Sequence, residues 1–360
     1  MVKTSRKRKL GQATRKGACA ALAALLAFTM SALPGNTAVA YAQGLTTQAT
    51  SEEEEESIDL QQTKATNTSV TLTWNVLDGM VKQAITYTAT VGSTTIATAD
   101  YLDIDATATS YTITGLKKNV EITFGIYQYD DAEKSDVGYA DHDYLSSVKT
   151  LSSTMGSLSY YMPFDKGHFS SYKLSVACTR VQNANADGYQ AVLYTKAGKK
   201  VQTVTLSYYT SYVTFSKAKL TQCYKVRVRP YVELDGTTTK AYGAWTSYFK
   251  AVPCAKTKQF TNATAGKKKM KVKWSKVTGA SKYIVYVARS KSYTSDTSGL
   301  SFKKVATVSG KKTSCTVKKV NKKKVNTEKY YYYVKIVTVS KYGSKTVKSK
   351  GTSAEICHRA

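Results

Sequence analysis

Lys329–Gly343 reads KYYYYVKIVTVSKYG. Four tyrosines lead into Val, Ile and Thr with no 3.6-residue period. Aromatic and β-branched residues of this kind suit a pleated, half-buried strand. Alternate side chains of a strand share a face. Tyr332, Val334 and Ile336 therefore form one set, and Tyr331, Tyr333 and Lys335 the other. Lys341-Tyr342-Gly343 reads as the turn into the next strand.

The first set recurs. Tyr224, Val226 and Val228 match it, as do Ile122, Phe124 and Ile126. Upstream of each lies TLTWNVLDG from Thr71, LSVACTRVQNA from Leu174 or VKWSKVTGA from Val272. Trp74, Cys178 and Trp274 hold one position, each three residues before Leu77, Val181 and Val277. Further matches are ITYTATVG from Ile85, YQAVLYTKAG from Tyr189 and YIVYVARS from Tyr283. A last set is TSYTITGL from Thr109, TSYVTFSKAKL from Thr210 and TSCTVKKV from Thr313. Self-similarity at a spacing of about 100 residues marks tandem units, and short strands between turns argue β-sandwiches. The expected class is all-β.

WSKVTGASKYIVYVARS from Trp274, FKKVATVSGKKTSCTV from Phe302 and YYYVKIVTVSKYGSKT from Tyr331 together resemble a bacterial fibronectin type III domain. The resemblance runs over residues 57–357 as three tandem copies, and it implies three immunoglobulin-like β-sandwiches. It also implies an inward Trp274 and a corner role for Tyr332, whose hydroxyl returns to the backbone. Ile122 stands where the tyrosine is usual, and Cys178 replaces the tryptophan in the second copy. The expected domains are 57–152, 153–254 and 255–360.

Two segments precede them. Residues 3–16 carry seven Lys and Arg and no acid; ACAALAALLAFTMSAL follows from Ala18, then Pro34-Gly35 and two A-x-A frames ending at Ala40 and Ala42. This is the pattern of a secretory signal peptide over 1–42, and its apolar run is shorter than the ~20 residues a membrane span needs. The remaining chain is expected to be secreted, with no transmembrane segment. Residues 43–56 contain the acidic run Glu52–Glu56 and read as a disordered spacer. Five cysteines remain after the signal, an odd number without C-x-x-C spacing, so neither a disulfide framework nor a zinc site is expected.

Charge divides the chain. Residues 43–152 carry 6 Lys+Arg and 17 Asp+Glu, residues 153–254 carry 13 and 4, and residues 255–360 carry 27 and 3. The third copy therefore points to polyanion binding through Lys267, Lys268, Lys269, Lys311, Lys312, Lys318, Lys319, Lys322, Lys323 and Lys324. Lysine on strand edges also blocks edge pairing. Lysine is a compact point charge suited to diffuse attraction. The leader and repeat style resemble exported proteins of Gram-positive bacteria. The expected partner is thus an anionic cell-wall polymer, teichoic acid first, or another acidic glycan. Nucleic acid is not expected, because no reading motif is visible. No Leu-Pro-x-Thr-Gly motif or lipid-modified cysteine is found, so cell-wall association is expected to be non-covalent.

Tyrosine supplies an alternative. Exposed rings stack on sugars, which makes Tyr208, Tyr209, Tyr331 and Tyr333 candidate carbohydrate-binding residues, with a host protein as another partner of the same surface. Ordinary cross-strand pairing explains such tyrosines equally. His142, His168 and His358 are the three histidines. None lies near a cysteine or serine in a recognisable nucleophile motif. No catalytic residue, cofactor or metal is expected. Asp100, Asp103 and Asp105 and the acids at 130–136 lack calcium-loop spacing. Cys178 and Cys315 are expected in cores, and Cys223 outward.

Overall fold

The computed structural model describes residues 56–133, 138–152, 156–161, 173–179, 186–258, 268–351 and 355–357. The signal peptide, the spacer up to Glu55, Asp136, His168, Lys267 and His358 lie outside the described residues.

The first group of strands is β1 Gln61–Ala65, β2 Val70–Thr73, β3 Lys82–Val91, β4 Thr94–Ile104, β5 Ser110–Ile113, β6 Glu121–Tyr129 and β7 Asp141–Lys149. They form two antiparallel sheets, β1-β2-β5 and β4-β3-β6-β7. Period-2 alternation turns Val70, Leu72 and Trp74 of one sheet onto Ile85, Ile122 and Phe124 of the other, all buried. Each such aliphatic side chain contributes about 1.5–3 kcal/mol on burial.

The second group is β8 Leu158–Tyr160, β9 Leu174–Cys178, β10 Gly188–Thr195, β11 Lys200–Ser207, β12 Tyr212–Phe215, β13 Tyr224–Glu233, β14 Lys240–Tyr242 and β15 Phe249–Ala251. Its sheets are β8-β9-β12 and β11-β10-β13, with β14 and β15 both pairing β13. The third group is β16 Thr257–Lys258, β17 Met270–Trp274, β18 Lys282–Ser290, β19 Lys303–Ser309, β20 Ser314–Val317, β21 Lys319–Val320, β22 Lys323–Lys324, β23 Tyr331–Tyr342, β24 Lys345–Lys348 and β25 Glu355–Cys357. It repeats the plan as β16-β17-β20 against β19-β18-β23, with β24 and β25 on β23 and a small β21-β22 ribbon. Gly343 sits at φ 60° in the two-residue turn closed by the Tyr342–Lys345 pair, the primed geometry that favours glycine.

The position shared by Ile122, Tyr224 and Tyr332 is buried in all three sandwiches. Tyr332 Oη accepts from Asn326 N at 2.9 Å, and Tyr224 Oη accepts from Lys219 N at 2.8 Å. Both are the backbone returns expected of a corner tyrosine. Ile122 has no hydroxyl. Thr150 supplies one instead, accepting from Val120 N at 2.9 Å and donating to Lys117 O at 3.0 Å. The tryptophan position is also solved three ways. Trp74 Nε1 donates to Gln83 Oε1 at 2.8 Å. Trp274 packs edge-on to Tyr283, and its Nε1 has no partner among the described residues. Cys178 shares its core with Tyr189 and Phe215.

Polar contacts join the sandwiches. Fully buried Gln62 of β1 donates to Lys149 O at 2.9 Å and accepts from Lys149 N and Asp235 N. Asp235 Oδ2 accepts from Ser147 N, and Lys149 pairs with Asp187 at 2.7 Å. Between the second and third sandwiches, Tyr342 Oη donates to Tyr224 O at 2.9 Å and Lys196 Nζ to Gly279 O at 2.9 Å. Cys223 corrects an expectation here. It does face away from the core of its own sandwich, yet it is fully buried, because it belongs to the core cluster of the third.

Candidate anion-binding surface

The candidate lysines lie on a short sheet with one buried face. Along β17, Met270, Val272 and Trp274 point inward while Lys271 and Lys273 are exposed. Met270 pairs with Val317, so Lys269 and Lys318 flank that pair at the same end of the sheet. Beyond Lys318 the chain makes a tight hairpin, with Lys319 opposite Lys324 and Val320 opposite Lys323. Val320 and Val325 are its buried anchors. Lys318, Lys319, Lys322, Lys323 and Lys324 are all exposed, as are Lys268 and Lys269.

That hairpin is unfavourable locally. Lys319 and Lys324 put like charges directly across a strand pair, which costs about 0.2–1 kcal/mol. Asn321 and Lys322 both have positive φ, 49° and 64°. Asparagine tolerates this region; for an ordinary L residue such as lysine it costs about 1–2 kcal/mol. Among the described residues no carboxylate pairs with any of the five lysines.

The ten candidates do not form one cluster. Lys311 and Lys312 occupy the β19–β20 turn, where Gly310 N donates to Ser281 O and Trp274 N to Thr313 O. They therefore sit at the end of the sheet nearer the second sandwich. The hairpin is at the other end, about 13 Å away by four residues of strand rise. Lys271 and Lys273 bridge the two, and both were missed as candidates. The signal was present in the alternation MKVKW, which sends every second residue outward.

The tyrosines are not brought together either. Tyr209 is 80% exposed, while Tyr208 stacks against Tyr189 and packs on the second core. Tyr331 is half-buried, edge-on to the exposed Tyr293. Tyr333 requires a correction: it is fully buried, and its hydroxyl accepts from Thr294 N at 2.8 Å. The chain between β18 and β19 covers that face of β23, so the ring has no surface for a sugar.

Burial governs the thiols. Desolvation pushes Cys178 and Cys315 up to about 11, so both stay protonated at neutral pH. Cys223 is raised too, by burial first, against lowering contacts from Ser340 and Lys196. His142 lies in an aromatic group with Tyr127, Tyr139 and Tyr144. Asp105 accepts from the hydroxyl and then the amide of Thr107, which lowers its pKa. These contacts make it a turn-forming residue.

No protein-family model matches the chain, and no curated protein does. Among solved structures it is similar to the FN1–FN3 domains of chicken CNTN1, with 15% identity, 82% of this chain and 97% of that chain covered, and a TM-score of 0.27. It is also similar to a two-domain fibronectin type III segment of chicken tenascin, with 17% identity, 53% and 97% covered, and a TM-score of 0.25. The strand order and the three two-sheet cores, rather than these superpositions, make the chain a row of fibronectin type III-like β-sandwiches.

Proposed function

We propose that this chain is a non-enzymatic, secreted binding and adhesion module, held to an anionic cell-wall polymer by its third sandwich. The observation that carries the reading is the 318–325 hairpin. Five exposed lysines, without acid partners among the described residues, crowd a turn that repels itself and strains Lys322. Sequences that break local rules tend to do so at functional sites. A polymer of phosphates relieves the repulsion on binding, and lysine point charges need no fixed register along it.

The test uses the whole chain after removal of the leader, because the third core includes Cys223 of the second sandwich. Sedimentation with Gram-positive cell walls, with and without teichoic acid, is followed across a salt series. Binding that needs teichoic acid and falls steeply with salt is expected. Replacing the five hairpin lysines by glutamine flattens the log–log salt slope by up to about 4. Equal binding to stripped walls, or no binding at low salt, overturns the proposal.

A further inference from the structure

The outer face of the second sandwich carries a second cationic feature of different construction. Lys225, Arg227 and Arg229 alternate outward along β13, whose intervening residues are buried. The chain from Tyr242 to Tyr248 runs beside them, fixed by Thr246 N donating to Val228 O and by Val228 N donating to Thr246 Oγ1. The two rows interleave. Lys225 Nζ lies 5.0 Å from the Tyr248 ring and the Arg227 guanidinium 5.3 Å from the same ring. Trp245 stands between the two arginines, 4.2 Å from Arg227 and 4.4 Å from Arg229. Arg229 then lies 3.9 Å from Tyr242.

Rings hold these guanidiniums in place, and among the described residues no carboxylate neutralises them. Arg227 Nη2 donates to Tyr194 Oη at 2.9 Å, and its Nε is buried with no acceptor among the described residues. Arg229 Nε and Nη2 both donate to Gln190 Oε1, at 3.0 and 2.8 Å. Among the described residues neither pairs with a carboxylate. A guanidinium offers five donors and keeps its charge, so two fixed cations stand side by side with donors to spare. Tyr248, 40% exposed, also lines a groove of about 350 Å³ shared with the third sandwich. Lys250, Lys345, Phe249 and the polar residues Ser157, Thr246 and Ser247 line it too.

We infer that this ladder and the groove at its end form a binding site for an acidic saccharide, one carrying a carboxylate or phosphate. The acid group would take the free guanidinium edges and the groove lysines, and the pyranose ring would lie on Tyr248 with its hydroxyls toward the serine and threonine side chains. This surface is separate from the lysine hairpin, and the inference does not rest on the wall-polymer reading.

The chain reports on the site itself. Of its three tryptophans, Trp74 and Trp274 are buried in cores, and Trp245 alone lies in the ladder. The intrinsic fluorescence of the whole chain is titrated with glucuronic acid, glucose 6-phosphate, inorganic phosphate and glucose. A saturable change with one or both acidic sugars is expected, lost in W245F; which of the two binds identifies carboxylate or phosphate as the acid. The double variant R227K/R229K keeps the charge and loses the planar forks, and binding should weaken at least about tenfold. Y248A and K345Q, at the groove, should each weaken it with the melting temperature unchanged, which keeps the test valid if the arginine variant fails to fold. No saturable change with either acidic sugar overturns the inference, as does equal binding of glucose or of phosphate alone, or full affinity in Y248A and K345Q. Binding that survives the five-lysine hairpin substitution separates this site from the wall-polymer surface.

Discussion

Removing one oxygen from Tyr332 tests how the lysine hairpin is held. Tyr332 is 1% exposed, and its hydroxyl accepts from Asn326 N at 2.9 Å. Asn326 follows Val325, the residue that anchors the hairpin's return leg. Tyr332→Phe leaves the ring in the core, strands the Asn326 N–H and removes the long 3.4 Å donation to Asn326 O. A buried donor left without a partner costs about 1–3 kcal/mol; Asn326 is half-buried and partly reached by water, which places the expected loss near the lower end, about 1–1.5 kcal/mol. The matched variants are Tyr224→Phe, which strands Lys219 N, and Thr150→Val, which strands Val120 N and Lys117 O. Thr150→Val should be the costliest, about 2–3 kcal/mol, because Thr150 and Val120 are fully buried and both of its backbone bonds are short, at 2.9 and 3.0 Å. Native-state hydrogen exchange at Asn326, Lys219 and Val120 reads each sandwich separately, which a single melting curve of three joined units does not. Each amide should exchange faster in its own variant and not in the other two. Unchanged Asn326 exchange in Y332F, or a stability loss under about 0.3 kcal/mol in T150V, would refute the argument that these hydroxyls close the corners.

Three further outcomes follow from the same geometry. Gln62→Leu keeps the volume but removes the acceptor shared by Lys149 N and Asp235 N; it should weaken the joint between the first two sandwiches by about 1–3 kcal/mol, read as faster proteolysis near residues 149–152. Stability should fall in alkali: the buried thiol of Cys178 and the partly buried thiol of Cys315 rise from 9.0 to about 11 and Tyr160 from 10.0 to about 12. Their contribution is complete below pH 9 and is lost as pH climbs through the folded values. Melting temperatures from pH 8 to 11.5 check this, and C178A should reduce the slope between pH 9 and 11. Added salt should raise the melting temperature of the third sandwich by screening lysine repulsion, and the five-lysine glutamine variant should lose most of that rise.

The strands and the inward faces were legible because period-2 alternation is local. Tyr332, Tyr224, Trp74 and Trp274 could be placed without knowing what they touched. The misreadings share one cause: exposure depends on chain that arrives from elsewhere. Tyr333 was assigned to the outer face correctly, but Thr294, 39 residues away, brings a segment across it. Cys223 points away from its own core and enters that of its neighbour. Nothing about Ile122 announces that Thr150 will replace the absent tyrosine. The arginine ladder needed the register of Tyr242–Tyr248 against β13, which alternation alone leaves open.

The third sandwich holds 27 basic and 3 acidic residues, and such a domain works against its own compactness. Its core offsets this by reaching past its own strands: Cys223 and Val252 of the second sandwich pack with Trp274, Tyr283 and Ile336. Tyr342 ties β23 back to Tyr224 and Ala251 through their carbonyls. Stabilising contacts therefore concentrate at the junction, while the crowded charge stands at the hairpin, the opposite end of the short sheet. The two are coupled through β17 and β20 on that face. An anion that neutralised the hairpin would stabilise the folded chain more than the unfolded one, since only the fold gathers the lysines of β17 and of the hairpin onto one surface. On the proposed reading, the charge that burdens the free protein would be the source of its affinity for an anionic polymer.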